Sequence, residues 1–473
     1  MVIASHPTIE EAIINFLAKV NPNIEGEKIL DYKLPELLLL ITDSVGEKNH
    51  HILSKVLEVL SKIARTRLGA EQIVEANGVR IISRLLPYCS DDHSSAIVFG
   101  SQVLASLAQI DEAKLAISNI AMPCMIKVFE KIGRLEENNN VSPCIAELFI
   151  TLSVFAIYND ANKVIISSSS IPRISKTIVE HYGNDINILG SCATMIANVS
   201  YKRLCSTHQL LTSNIMGTLT QTCIEKLTVD VHEKDIERIL VAIANVCNSQ
   251  ENSALMYSID GTVDFVVHLL QQSDKPSIIR DAAIACTSMC FESEVARRHY
   301  CHKECIEALI DIVLRLGMYD ETIEDKEESK AAEAATWALI ALTMDPTASH
   351  KFENNLHDFE SLLQLYLQTD SETVLEAGSM FVSILLPSTE IKKTLASEGR
   401  RSFIENQGGD QIIQRCMSNV YFCDEALCPS WLLQSILILD SEINEIKKFN
   451  KLSAADCFSQ FDLYRLIEPH NLI

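Results

Sequence analysis

Glycine and proline are scarce in this 473-residue chain, 15 and 12 respectively, and aromatic side chains make up only 6%. That leaves little turn chemistry for a many-stranded sheet. Basic charge is outweighed as well: 40 Lys and Arg face 63 Asp and Glu, a formal net charge of −23. Such a surface repels a phosphate backbone, and no Lys/Arg-rich run or RNA-binding motif offsets it, so nucleic acid is not an expected ligand. Long apolar runs are missing too. The longest aliphatic run, LLLLI at 37–41, falls far short of the ~20 residues that span a bilayer. The opening MVIASHPTIEEAIINF lacks a basic segment followed by an apolar core, so no signal peptide is expected there.

What is present is apolar residues at helical spacing; 47% of the chain is hydrophobic. In HILSKVLEVLSKIA (51–64), Ile52, Leu53, Val56, Leu57, Leu60 and Ile63 share one broad face. Fifteen cysteines are present. Cys192, Cys223, Cys247, Cys286 and Cys290 fall inside such apolar patterns, where free cysteine behaves as a small buried hydrophobe. This favours a reducing intracellular compartment, the cytoplasm first and the nucleus second.

The tetrapeptide Ile-Ala-Asn-Val occurs at 196–199 and again at 243–246. With its Asn as a ruler, similar small-residue helices align at Lys62, Ser106, Thr151, Asn198, Asn245, Ser288, Ala341, Ser383 and Ser435. The intervals are 44, 45, 47, 47, 43, 53, 42 and 52 residues, close to the about 40–47 of two- and three-helix repeats. The two long intervals contain YDETIEDKEESK (319–330), an acidic insertion, and ASEGRRSFIENQGGD (396–410), a loop insertion. Upstream of the ruler, EQIVEANGVRIISRLL (71–86) matches ALMYSIDGTVDFVVHLL (254–270): a short helix, a Gly turn at Gly78 or Gly261, and a helix ending Leu-Leu.

This pattern resembles the armadillo repeat family, most clearly in NSALMYSIDGTVDFVVHLLQQSDKPSIIRDAAIACTSMC (252–290). HEAT-like repeats are the near alternative, and the Gly turns favour armadillo. The resemblance implies an all-α, right-handed solenoid of eight or nine degenerate repeats, 35–439, with 1–34 and 440–473 as caps. It also implies that third helices line a concave groove for a partner. In the family's nuclear-import adaptors a Trp-x-x-x-Asn pair recurs on that helix, the Asn holding a peptide backbone and the Trp rings flanking basic side chains. Here the positions four before the ruler are Glu58, Gln102, Glu147, Thr194, Val241, Ile284, Trp337, Ser379 and Trp431. Both tryptophans share that register, yet no repeat carries the full pair.

Candidate groove contacts are therefore Asn198, Asn245, Trp337 and Trp431, supplemented by Gln102, Glu147, Arg238 and Arg280. Amides facing a groove suit the unpaired backbone of an extended peptide; the competing expectation is that they bond to neighbouring helices. The segment RRHYCHKEC packs His299, Cys301, His302 and Cys305 too closely to surround one tetrahedral ion. His50 and His51 read as a solvated turn, and the sequon at Asn198 lies within a helix. No P-loop, dinucleotide, nucleophile-elbow or zinc-protease motif occurs. The expectation is a non-enzymatic adaptor or scaffold without cofactor, binding an extended or helical protein segment that carries basic or mixed charge. A receptor for basic peptides, or a regulatory factor gripping a folded client or GTPase by its side faces, are the alternatives.

Overall fold

The computed structural model describes residues 33–45, 49–89, 94–133, 141–226, 233–247, 249–317 and 326–369, with isolated positions as far as Leu385. Among these residues every regular element is a helix. Trp431, Ser379, Ser383, Ser435, the loop insertion 396–410, the cap 440–473 and nearly all of the cap 1–34 lie outside the described residues. Contacts within the chain gather into two units, one running to Ala242 and the other from Ile243.

The repeating element is three helices. In the second unit, a long third helix at Pro276–Glu292 is followed by a short first helix, Glu294–His302, and a second helix, Cys305–Leu316. The next third helix is Lys326–Thr343, so residues 326–330 of the acidic insertion are helical. Third helices pack on third helices. His50–Ala64, Ser94–Leu107, Ser142–Tyr158 and Ile186–Ser200 follow one another in the first unit, and Pro276–Glu292 lies against Lys326–Thr343 in the second. Second helices stack likewise, Met122–Ile132, Ile171–Tyr182 and Ile215–Lys226 in the first unit. The fold is an all-α helical-repeat solenoid, in which each layer buries its apolar faces on its neighbours.

Composition explains the close third-helix stacking. Ala282, Ala283 and Ala285 on one helix and Ala331, Ala332, Ala335 and Ala338 on the other are fully buried, letting backbones approach. Aromatic rings fill the wider gaps. Phe129 on a second helix and Phe149 on the third helix that follows it meet edge-on with centroids 5.2 Å apart, and both are buried.

The joints recur in backbone geometry more faithfully than in sequence. Between each third helix and the next first helix stands one extended residue: Thr66, Ile110, Asn159, Arg203, Ser249, Ser293 and Asp345. Five of them cap the following helix with their side chains. Asp345 Oδ1, for example, accepts from Thr347 N at 2.8 Å and Asn159 Oδ1 from Ala161 N at 3.0 Å.

The turn between first and second helices uses a single left-handed residue at Asn77 (φ 59°), Asn214 (φ 60°), Gly261 (φ 80°) and Glu304 (φ 57°). The expected glycine therefore does its work at Gly261 only. In the NG pair the left-handed residue is Asn77, and Gly78 is the first helical position, where an added Cβ would lie 2.3 Å from Ile73 Cγ2. Three other described layers avoid the left-handed region. One runs through a π-helical segment, Ile117–Ala121, one places Pro172 in the first turn of Ile171–Tyr182, and one turns at Asn355 with φ −122°.

Candidate functional site

Solvent reaches the third helices of the first unit along one strip. On His50–Ala64 the exposed or half-buried positions are His50, His51, Ser54, Lys55, Glu58 and Lys62, which recur three or four residues apart as one helix face requires. The strip continues through Ser95, Phe99, Gln102 and Ser106, then Pro143, Glu147 and Ile150, and reaches Asn198.

Side chains on this strip are tied across layers. Ser54 and Ser95 hydroxyls are 2.8 Å apart, Gln102 Nε2 donates to Glu147 Oε2 at 3.1 Å, and Asn198 Nδ2 donates to Ser153 Oγ at 2.6 Å. The last two pairs each join residues one repeat, 45 positions, apart. The two carboxylates differ in kind. Burial would raise the pKa of Glu58, but Lys62 at 3.1 Å and Lys55 at 3.2 Å hold it below the usual carboxylate range. Burial pushes Glu147 up, and the amide of Gln102 only partly offsets this.

Other candidates sit deeper. Asn245 and Trp337 are buried, each 4% exposed, and the ruler positions Ser288 and Ala341 are closed to solvent. Arg280 is also buried; its Nε donates to Asp281 Oδ1 at 2.8 Å and its Nη1 to Glu327 Oε2 at 2.5 Å, on the neighbouring third helix. Arg238 is half-buried and donates to Asp235 Oδ1 at 3.0 Å. Gln102, Glu147 and Asn198 thus share the open strip of the first unit. Asn245, Trp337 and Arg280 lie buried elsewhere in the chain.

Several polar contacts gave no signal in periodicity. Lys163, 5% exposed, donates to the Tyr201 carbonyl at 3.0 Å, closing the end of the next third helix, Ile186–Ser200. Arg297 does the same for Cys290 and Phe291 carbonyls within the second unit. Asn162 donates to the Phe155 carbonyl and accepts from Ser118 Oγ at 2.8 Å. Only the capping residues, Ser, Thr, Asn or Asp before a short helix, were available to find the joints in advance.

The Cys/His segment divides by helix face: Cys301 and Cys305 are buried while His302 is exposed. Among the described residues, no group of three or more His, Cys, Asp or Glu is placed to hold a metal ion. All described cysteines are unpaired. Burial pushes the Cys89 thiol to about 11 and those of Cys144, Cys223 and Cys301 to about 12. Among the described residues, no helix is long and apolar enough to cross a membrane.

No family model matches this sequence, and no curated protein matches it. Solved structures do share the fold. An engineered protein matches with a TM-score of 0.69 at 19% identity, over 91% of this chain and 94% of that one. A chain from a structure concerned with a phosphorylation switch in the interaction between cadherin and beta-catenin matches with a TM-score of 0.62 at 15% identity. That match covers 92% of this chain and 77% of the other. At such identities the likeness is one of fold.

Proposed function

We propose that this chain is an armadillo-type, non-enzymatic interaction scaffold that holds a segment of a partner protein along the third-helix strip of its first unit. The observation that carries the reading is the strip itself: solvent-reachable and polar, with Gln102 bonded to Glu147 and Asn198 to Ser153 at one-repeat spacing. Evenly spaced polar groups on a rigid stack suit a chain that is extended or helical and presents groups at regular intervals. Support for protein as the ligand comes from the structural neighbour studied for the interaction between cadherin and beta-catenin and from the charge of −23, which disfavours nucleic acid. Free thiols at the described cysteines favour a reducing compartment.

A receptor of the import-adaptor kind fits less well. Trp337 is 4% exposed and so is poorly placed to flank a basic side chain. A peptide array of tiled dodecamers, probed with the full chain and with Ser106→Arg, tests the proposal. The bulky substitution stands on the strip and should reduce the retained signal at least tenfold. An unchanged set of retained peptides would remove the strip as the binding surface. Capture of an intact folded client with no peptide retained would point to a side face instead.

A further inference from the structure

The strip holds two carboxylates, and they differ. Glu58 faces Lys55 and Lys62, as on other third helices Asp235 faces Arg238, and Asp281 and Glu327 face Arg280. Glu147 faces an amide, Gln102, and among the described residues no lysine, arginine or histidine lies within ion-pair distance of it. A half-buried carboxylate without a counter-cation is costly to maintain, since burial removes water that nothing positive replaces. Its surroundings also suit a particular visitor. Phe99 lies one turn before Gln102 and Ile150 one turn after Glu147, both half-buried on the same helix faces. A basic side chain has that composition, an apolar stem ending in a charged group.

We propose that the Gln102–Glu147 pair is the seat of one lysine or arginine side chain carried by the partner segment. The ammonium or guanidinium would donate to the Glu147 carboxylate, whose second oxygen keeps the Gln102 bond, while the stem lies against Phe99 and Ile150. Arginine can offer two parallel donors and also stack on the Phe99 ring, so it is the better fit of the two. This inference rests on the strip being the binding surface, as proposed above, and adds what the partner must bring to it.

The test uses fluorescein-labelled dodecapeptides of mixed Ala, Ser and Leu sequence with one central Arg, citrulline, Lys or norleucine, titrated by anisotropy against the full chain. Wild type should prefer Arg to citrulline and Lys to norleucine by about tenfold, the ratio corresponding to ~1.4 kcal/mol. Glu147→Gln, which keeps an acceptor for Gln102, should abolish that preference. Glu307→Gln, an acid outside the strip that is already paired with Lys351, should keep it. Equal binding of Arg and citrulline peptides, or a preference that survives Glu147→Gln, overturns this inference and leaves the strip intact. Failure of wild type to bind any of these peptides overturns the strip reading and this inference with it.

Discussion

The left-handed turns allow a stability prediction of opposite sign at two equivalent positions. Glu304 and Gly261 both stand before a second helix, at φ 57° and φ 80°. For a residue with a Cβ this region costs roughly 1–2 kcal/mol, because Cβ crowds the following carbonyl. Glu304 is exposed and shows no side-chain capping bond that would offset the strain. Replacing it with Gly removes the strain but adds roughly 0.5–1 kcal/mol of unfolded-chain entropy. The net expectation for Glu304→Gly is stabilisation by about 0.5–1 kcal/mol. Gly261→Ala runs the other way and should destabilise by about 1 kcal/mol. Glu304→Ala exchanges one strained residue for another and should be nearly neutral, isolating the backbone from the side chain. Urea unfolding followed by circular dichroism reads this as a shift in midpoint at constant slope. Loss of stability in Glu304→Gly, or no loss in Gly261→Ala, would refute the idea that these turns are one structural position.

Three further expectations concern buried polar and titratable groups. Asn162→Ala removes the bond to the Phe155 carbonyl and the acceptor of Ser118, and should cost about 2 kcal/mol in the same assay. Under native alkylation at pH 8 with per-peptide mass spectrometry, exposed Cys205 should label first among the described cysteines and half-buried Cys124 later. Cys144, Cys192 and Cys286 should wait for urea, since burial disfavours their reactive thiolates; prompt native labelling of Cys286 would contradict the packing described. For Glu147, burial raises the folded pKa above the unfolded one. Its contribution to stability is therefore present while it is protonated and lost as pH rises through the folded pKa. Glu147→Gln should match wild type in melting temperature near pH 4 and exceed it by pH 7; a difference that narrows with rising pH would reverse the sign argued here.

How much was legible in advance varies by element. The period of roughly 45 residues rests on apolar spacing, and the third helices follow it closely: the face 52, 53, 56, 57, 60 and 63 is buried as expected. The turns were half legible. Gly261 announces itself, whereas Glu304 has no turn propensity and is held left-handed by the packing of the helices on either side. Gly78 misled for a related reason, since its role is close approach to Ile73 and the turn belongs to Asn77.

The candidate site divides in the same way. Register along the chain was enough to place Gln102 and Glu147 at equivalent positions, because a repeat spacing converts sequence offset into adjacency in a stack. The pairing of Glu58 with Lys55 and Lys62 was legible, since both sit three or four residues away on the same helix, whereas only packing shows that among the described residues Glu147 faces an amide and no cation. Register could not separate Asn198, half-buried, from Asn245, 4% exposed, although both sit in the same tetrapeptide. The sequence by itself determined the helices and their period, because burial of apolar faces at 3.6-residue spacing is a local property of the chain. Which polar residues of that period meet solvent, which meet residues of another layer and which are sealed was decided by tertiary packing, because the stacking of layers covers some helix faces and leaves others open.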